Sequence, residues 1–216
     1  MEQIYNPYLP LNEYVPDGEP HVFEGRVYLY GSHDVAGGTA YCEGHYVGWS
    51  APVENLKDWR WEGVIYRRDQ DPSNADDTLQ LWAPDVTRGP DGKYYLYYCL
   101  SFLPEIGVAV SDSPAGPFAF YGHVKYPDSI LGGKKLQEFM PFDPAVLTDD
   151  DGRVYLYYGF APAGEKEMPK KALWKGREVV FGEDGMAVEL EPDMLTMKDT
   201  PHVCVPGGHH TEGTSF

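Results

Sequence analysis

The stretch that decides the fold runs from Val15 to Asp34, VPDGEPHVFEGRVYLYGSHD. It opens with two carboxylates near a Pro-Gly turn, passes into the alternating strand Val27-Tyr28-Leu29-Tyr30, and ends in the polar triplet Ser32-His33-Asp34. The layout returns from Ala83 as APDVTRGPDGKYYLYYCLS and from Phe142 as FDPAVLTDDDGRVYLYYGF. Each copy carries an acid beside a proline, an apolar position, a turn ending in glycine and a Tyr-Leu-Tyr strand. The turn glycines Gly25, Gly92 and Gly152 set a period of about 60 to 67 residues, which is the mark of stacked structural units.

A second landmark follows in each of the first two units. His45–Ser50 and Ile106–Ser111 are short strands that end in serine and lead into a proline-containing turn and an aromatic residue. In the third unit the landmark is degraded, and ALWKG, REVVF and MAVELEPDMLTM stand as its strands. Short strands broken by Gly, Pro, Asp and Asn, with almost no helical period, predict an all-β protein. Units of roughly four strands expose two apolar faces and must stack around an axis, as propeller blades do. The reading is one propeller domain over residues 1–216, with blades at about 15–70, 80–126 and 140–198 and the start of a fourth from 201. Propellers close with about four to eight blades, so these units read as the front of a larger one. Tyrosines 94, 95, 97 and 98 alternate between the two blade faces and are expected to pack between blades.

The 216 residues carry 34 Asp and Glu against 17 Lys and Arg, a formal charge of −17. Such a surface repels phosphate backbones and anionic membranes, so neither nucleic acid nor membrane is an expected partner. Cys42, Cys99 and Cys204 are far apart and form no Cys-x-x-Cys pair, so neither a zinc site nor a disulfide framework is signalled. The N-terminal residues lack signal-peptide character and no apolar run reaches 18 residues, which makes a cytoplasmic location the expectation.

The innermost strand of a propeller blade lines the central channel, so the acid that opens each repeat is aimed at one axial pocket. Converging carboxylates suit glycoside hydrolysis, in which one acid protonates the leaving oxygen and a second carboxylate activates water. A third can raise the acid's pKa by charge repulsion. Asp143 heads the third unit. In the first unit Asp17 and Glu19 compete, because the turn reads Asp17-Gly18-Glu19-Pro20. Counting back from Gly25 favours Glu19; residue type and a shorter arm, which leaves room for a water, favour Asp17.

These motifs resemble glycoside hydrolase family 43, over residues 5 to 216. The resemblance rests on Asn6-Pro7-Tyr8-Leu9-Pro10, Ser32-His33-Asp34, Trp82-Ala83-Pro84-Asp85-Val86 and the pattern over Asp143–Leu156. It implies a five-bladed propeller and inverting hydrolysis of arabinose- or xylose-containing oligosaccharides. It further implies an aspartate base in blade one (Asp17, or Glu19), a pKa-modulating aspartate in blade three (Asp143) and a glutamic acid at the head of blade four, where Glu212-Gly213-Thr214-Ser215-Phe216 fits. His33, Asp34, Trp49, Trp82 and Asp85 are the expected substrate contacts. No cofactor is required; a structural cation in the channel is compatible with the fold, but no ligand set for it is readable. The oligomeric state is not readable either. The rival readings are a non-catalytic carbohydrate-binding propeller and a related propeller phosphorylase, the latter needing a basic phosphate cradle that the acidic repeats do not offer.

Overall fold

Alternating Val, Leu and Tyr residues suit strands buried on both faces, and the chain uses them as the inner strands of three successive sheets. The computed structural model describes residues 6–101, 103–136, 141–159, 171–174, 177–180 and 185–204. The first sheet is an antiparallel meander of β1 (Glu19–Phe23), β2 (Arg26–Tyr30), β3 (Tyr46–Pro52) and β4 (Arg60–Tyr66). The second repeats it with β5 (Leu81–Arg88), β6 (Tyr94–Leu100), β7 (Ile106–Ser111) and β8 (Ala119–His123). The third begins with β9 (Ala145–Thr148) and β10 (Val154–Tyr158). A separate hairpin, β11 (Lys171–Trp174) with β12 (Arg177–Val180), intervenes before β13 (Met186–Leu190) and β14 (His202–Val203) complete the third sheet.

This assignment corrects the sequence reading of the third unit in two places. The ALW and REVV segments pair with each other rather than with β10. Residues 205–216 lie outside the described residues; His202–Val203, at the head of the stretch expected to open a fourth unit, instead supplies the outer strand of the third through the pairs Met186↔Val203 and Ala187↔His202. Its backbone satisfies the free edge of β13, which the inserted hairpin leaves open.

Sheets stack face to face as blades, and β6 is the hinge of the packing. Tyr94, Leu96 and Tyr98 face the first sheet, in a cluster with Tyr28, Tyr30, Ile65 and Tyr66. Tyr95 and Tyr97 face the third, among Val146, Leu156, Val188 and Met197. This is the period-two alternation of a strand buried on both faces. The other face of the first sheet packs Leu29, Val47 and Trp49 against the lead-in residues Leu9 and Val15 and against Trp59.

Tyrosine hydroxyls close these interfaces at matching positions. Tyr30 donates to the Pro114 carbonyl of the second blade at 2.6 Å, and Tyr97 to the Met194 carbonyl of the third at 2.7 Å. Both rings are essentially fully buried, so each hydroxyl needs its partner. Removing the Tyr97 hydroxyl strands a buried carbonyl, at a cost of about 1–3 kcal/mol. Tyr97→Phe is therefore expected to lower the unfolding free energy by that amount, read as a lower urea midpoint at unchanged slope; an unchanged midpoint would remove the hydroxyl from blade docking.

Candidate active site

Strand pairing aligns the three inner hairpins residue by residue. Glu19 pairs with Tyr30, Asp85 with Tyr97 and Ala145 with Tyr157, so Glu19, Asp85 and Ala145 are equivalent. The residues two places earlier, Asp17, Ala83 and Asp143, are then equivalent too. All three share a backbone conformation that L-residues rarely adopt, with φ of 54°, 36° and 46°. Such strain costs on the order of 1–3 kcal/mol per residue and persists only where the surroundings hold it. The shared conformation turns each head residue out of its strand at the same end of the axis. Asp17, not Glu19, therefore occupies the position that Asp143 holds in the third blade.

The count from Gly25 misleads because the turns differ. In the first unit Phe23 pairs with Arg26 across the two-residue turn Glu24-Gly25, both at positive φ, the geometry that a tight hairpin prefers. In the other two units five residues separate Arg88 from Tyr94 and Thr148 from Val154.

The two head aspartates act on the same buried thiols. Burial pushes the Cys42 thiol up to about 11, with the charges of Asp17, Asp34 and Asp143 adding to the effect. Burial also raises Cys99, and Asp143 and Asp17 push it further. The backbone of Asp143 hydrogen-bonds the Cys99 sulfur, which itself donates to the Trp82 carbonyl at 3.5 Å. Ser32 bonds both Asp17 and the Ala83 N–H, and Trp82 meets Phe142 next to Asp143, so the two aspartates stand at one end of the axis on opposite sides of the second blade. Asp17 is exposed there and Asp143 half-buried. Beside them the half-buried rings of Trp82 and Phe142, each one residue before a head position, meet edge to face at 5.4 Å.

Asp17 is placed by its neighbours. Gly31 lets the lead-in lie against β2, since a Cβ there would meet Val15 at 2.6 Å and the Pro16 carbonyl at 2.7 Å. The Ser32 hydroxyl donates to Asp17 Oδ2 at 2.8 Å. Asp34 accepts from the Cys42 N–H at 2.7 Å and so folds the loop after β2 back beside the thiol. His33 stands 3.8 Å from Glu13 and is half-buried, close to this rim.

Two expected substrate contacts are built into the framework instead. Trp49 is only 7% exposed, packs under the lead-in, and donates its indole N–H to Glu13 at 3.2 Å, which leaves no ring face for a sugar. Asp85 is buried and its oxygens are taken by the Val86 N–H at 2.7 Å, the Val146 N–H at 2.6 Å and His21 Nε2 at 2.5 Å. It ties all three blades together. Trp82, His33 and Asp34 remain on the site side. Glu212 lies outside the described residues.

The pair His21–Asp85 carries a pH signature. Burial opposes a charge on His21, but the hydrogen bond and charge of Asp85, with Glu19 behind them, outweigh it and raise the imidazole above its usual 6.5. Burial and the charge of Asp85 also raise Glu19, against the pull of His21. A histidine raised on folding stabilises fully below its unfolded value and loses that stability as pH climbs through the folded value. His21→Gln is accordingly expected to lower the melting temperature most near pH 6 and least on the alkaline side; an equal loss at all pH would contradict the ion pair.

With this geometry in place, likeness to known proteins has something to explain. The family model of glycosyl hydrolases family 43 matches residues 24–216. The chain is 50% identical over 215 residues to a xylosidase/arabinosidase of Thermoclostridium stercorarium, covering 100% of this chain and 42% of the relative. It is 34% identical to xylosidase/arabinosidase 43A of Humicola insolens, over 86% of the chain and 57% of that protein. Among solved structures, the GH43_1 enzyme of Xanthomonas citri complexed with xylose superposes with a TM-score of 0.65 at 28% identity, covering 91% of this chain and 56% of that one. A β-xylosidase/α-arabinofuranosidase from a compost metagenome, in complex with xylotriose, gives 0.65 at 28% identity over 93% and 62%. The chain spans about half the length of the relatives it matches. By strand order, blade packing and sequence it belongs to glycosyl hydrolase family 43.

Proposed function

We propose that the whole protein hydrolyses xylose- or arabinose-containing oligosaccharides with inversion, Asp17 acting as general base, Asp143 as the carboxylate that orients substrate and tunes the acid, and Glu212 as the acid. The observation that carries the reading is the equivalence of Asp17 and Asp143, two carboxylates held in one strained conformation at the heads of the first and third blades, with the head of the second blade between them bonded to Ser32 beside Asp17 and its Trp82 ring against Phe142 beside Asp143. Inversion needs a base that holds water on one face of the ring and an acid on the other. An aspartate exposed at the head of the first blade can hold that water. Asp143 faces it across the second blade, where a fixed negative charge keeps a nearby carboxylic acid protonated. Trp82 and Phe142 offer apolar ring surface beside the two carboxylates, suited to the C–H face of a sugar.

The substrate class is supported by the relatives, which are named xylosidase/arabinosidase, and by related structures holding xylose and xylotriose. Short oligosaccharides and a cytoplasmic site of action belong to the same proposal. The acids around Cys42 make a poor cradle for phosphate, which disfavours phosphorolysis.

Asp17→Asn is expected to lower kcat on aryl xyloside or arabinofuranoside by about 10²–10⁴-fold, the usual worth of a general base. Glu19→Gln should cost far less. Equal losses at both positions would reverse the assignment, and absence of turnover by the folded wild-type enzyme on either substrate would favour a binding propeller. Trp82→Ala should raise KM more than it lowers kcat; the opposite split would remove the ring from substrate binding.

A further inference from the structure

We propose that Ser32 is a positioning residue for the Asp17 carboxylate, and that it borrows its own rigidity from the backbone of the second blade. The inference rests on the reading of Asp17 as general base. Ser32 is wholly buried although it carries a polar side chain next to an exposed site. Its hydroxyl lies 2.8 Å from Asp17 Oδ2 and 2.8 Å from the Ala83 backbone nitrogen. A serine hydroxyl has one proton and two acceptor positions. The Ala83 N–H can only donate, so it takes an acceptor position and leaves the serine proton for the carboxylate. The Cys42 thiol lies beside the same hydroxyl. With the bonds to Asp17 and Ala83 made, the serine proton is committed to the carboxylate.

Two consequences follow for Asp17. One oxygen is fixed, and the other, which carries no hydrogen bond among the described residues, is left to hold a water in a single direction. A donated hydrogen bond also favours the ionised carboxylate over the protonated one, which is the form a base needs. The second blade, whose head position is an alanine, therefore serves the site through its main chain. Ala83 has the strained φ of 36° shared by Asp17 and Asp143, and that conformation aims its N–H across the blade interface at Ser32. The equivalence of three head residues, only two of them acidic, thereby acquires a reason.

The test is Ser32→Ala in the whole enzyme, followed by kcat, KM and the pH profile of kcat/KM. Loss of the donor should lower kcat by about tenfold, the size of a single hydrogen bond to a charged group, leave KM within about twofold, and displace the acid limb upward. A fall in kcat with an unmoved acid limb would overturn the inference and leave Ser32 as a blade staple. Cys42→Ala, which removes a neighbour of the hydroxyl but not the donor to Asp17, should leave the limb in place; a shift equal to that of Ser32→Ala would count against the inference. A second readout needs no turnover: in a crystal structure of Ser32→Ala the Asp17 carboxylate should be turned from its wild-type direction, and an unmoved carboxylate would overturn the positioning role whatever the catalytic outcome. A turned carboxylate in an enzyme whose Asp17→Asn variant retains full activity would instead sink the base assignment while sustaining the Ser32 contact.

Discussion

Docking of one blade face on the next is the constraint on which everything else depends. The inner hairpins of the first two blades bury their tyrosines against neighbouring blades, and in both the hydroxyl at the last position of the motif bonds a carbonyl of the following blade: Tyr30 to Pro114, Tyr97 to Met194. An inner strand cannot slide along its neighbour without breaking that bond and misplacing a full set of side chains. Asp85 adds a second lock nearer the axis, joining His21 of the first blade to Val146 of the third. Because the blades are held in register, the residues that head their inner strands arrive at one level, and that level is where the carboxylates stand.

Much of this architecture is legible in the sequence because its signals are local and repeated. The Tyr-Leu-Tyr strands and the alternation of Tyr94 to Tyr98 follow from period-two packing, and the turn glycines from the positive φ of Gly25, Gly92 and Gly152. Asp143 is equally readable, since Asp-Pro before a strand repeats the layout of Ala83-Pro84. What the sequence hides depends on contacts distant along the chain. Glu19 and Asp17 cannot be ranked by counting when one unit closes with a two-residue turn and the others with five-residue turns; only the pairing of Glu19 with Tyr30 and Asp85 with Tyr97 resolves them.

The misplaced aromatics and acids have the same origin. Trp49 reads as a sugar platform until the lead-in segment is seen to cover it. Asp85 reads as a pocket carboxylate until three donors from three blades are found on it. Asp71 stands in the polar run DQDPSNADDTLQ at residues 69–80, yet its carboxylate is fully buried and accepts from Tyr98 at 2.6 Å, Ser73 at 2.8 Å and His123 at 3.2 Å. Despite the pull of burial in the other direction, those bonds hold its pKa below the usual carboxylate range. Polar residues in a repeat protein thus divide between site and scaffold by partner rather than by type, and partners are not written in the one-dimensional pattern.

The division also describes the chemistry. Scaffold acids such as Asp85 and Asp71 have their oxygens consumed by protein donors, whereas among the described residues Asp17 keeps one oxygen open at the head of its blade. The most direct measurement is a crystal structure of the whole enzyme with xylose or arabinose bound. The account predicts the sugar ring beside Trp82 and Phe142, with its anomeric carbon facing the open oxygen of Asp17 and with Asp143 across the ring. A sugar seated at the opposite end of the axis, near the turn glycines Gly25, Gly92 and Gly152, would contradict it.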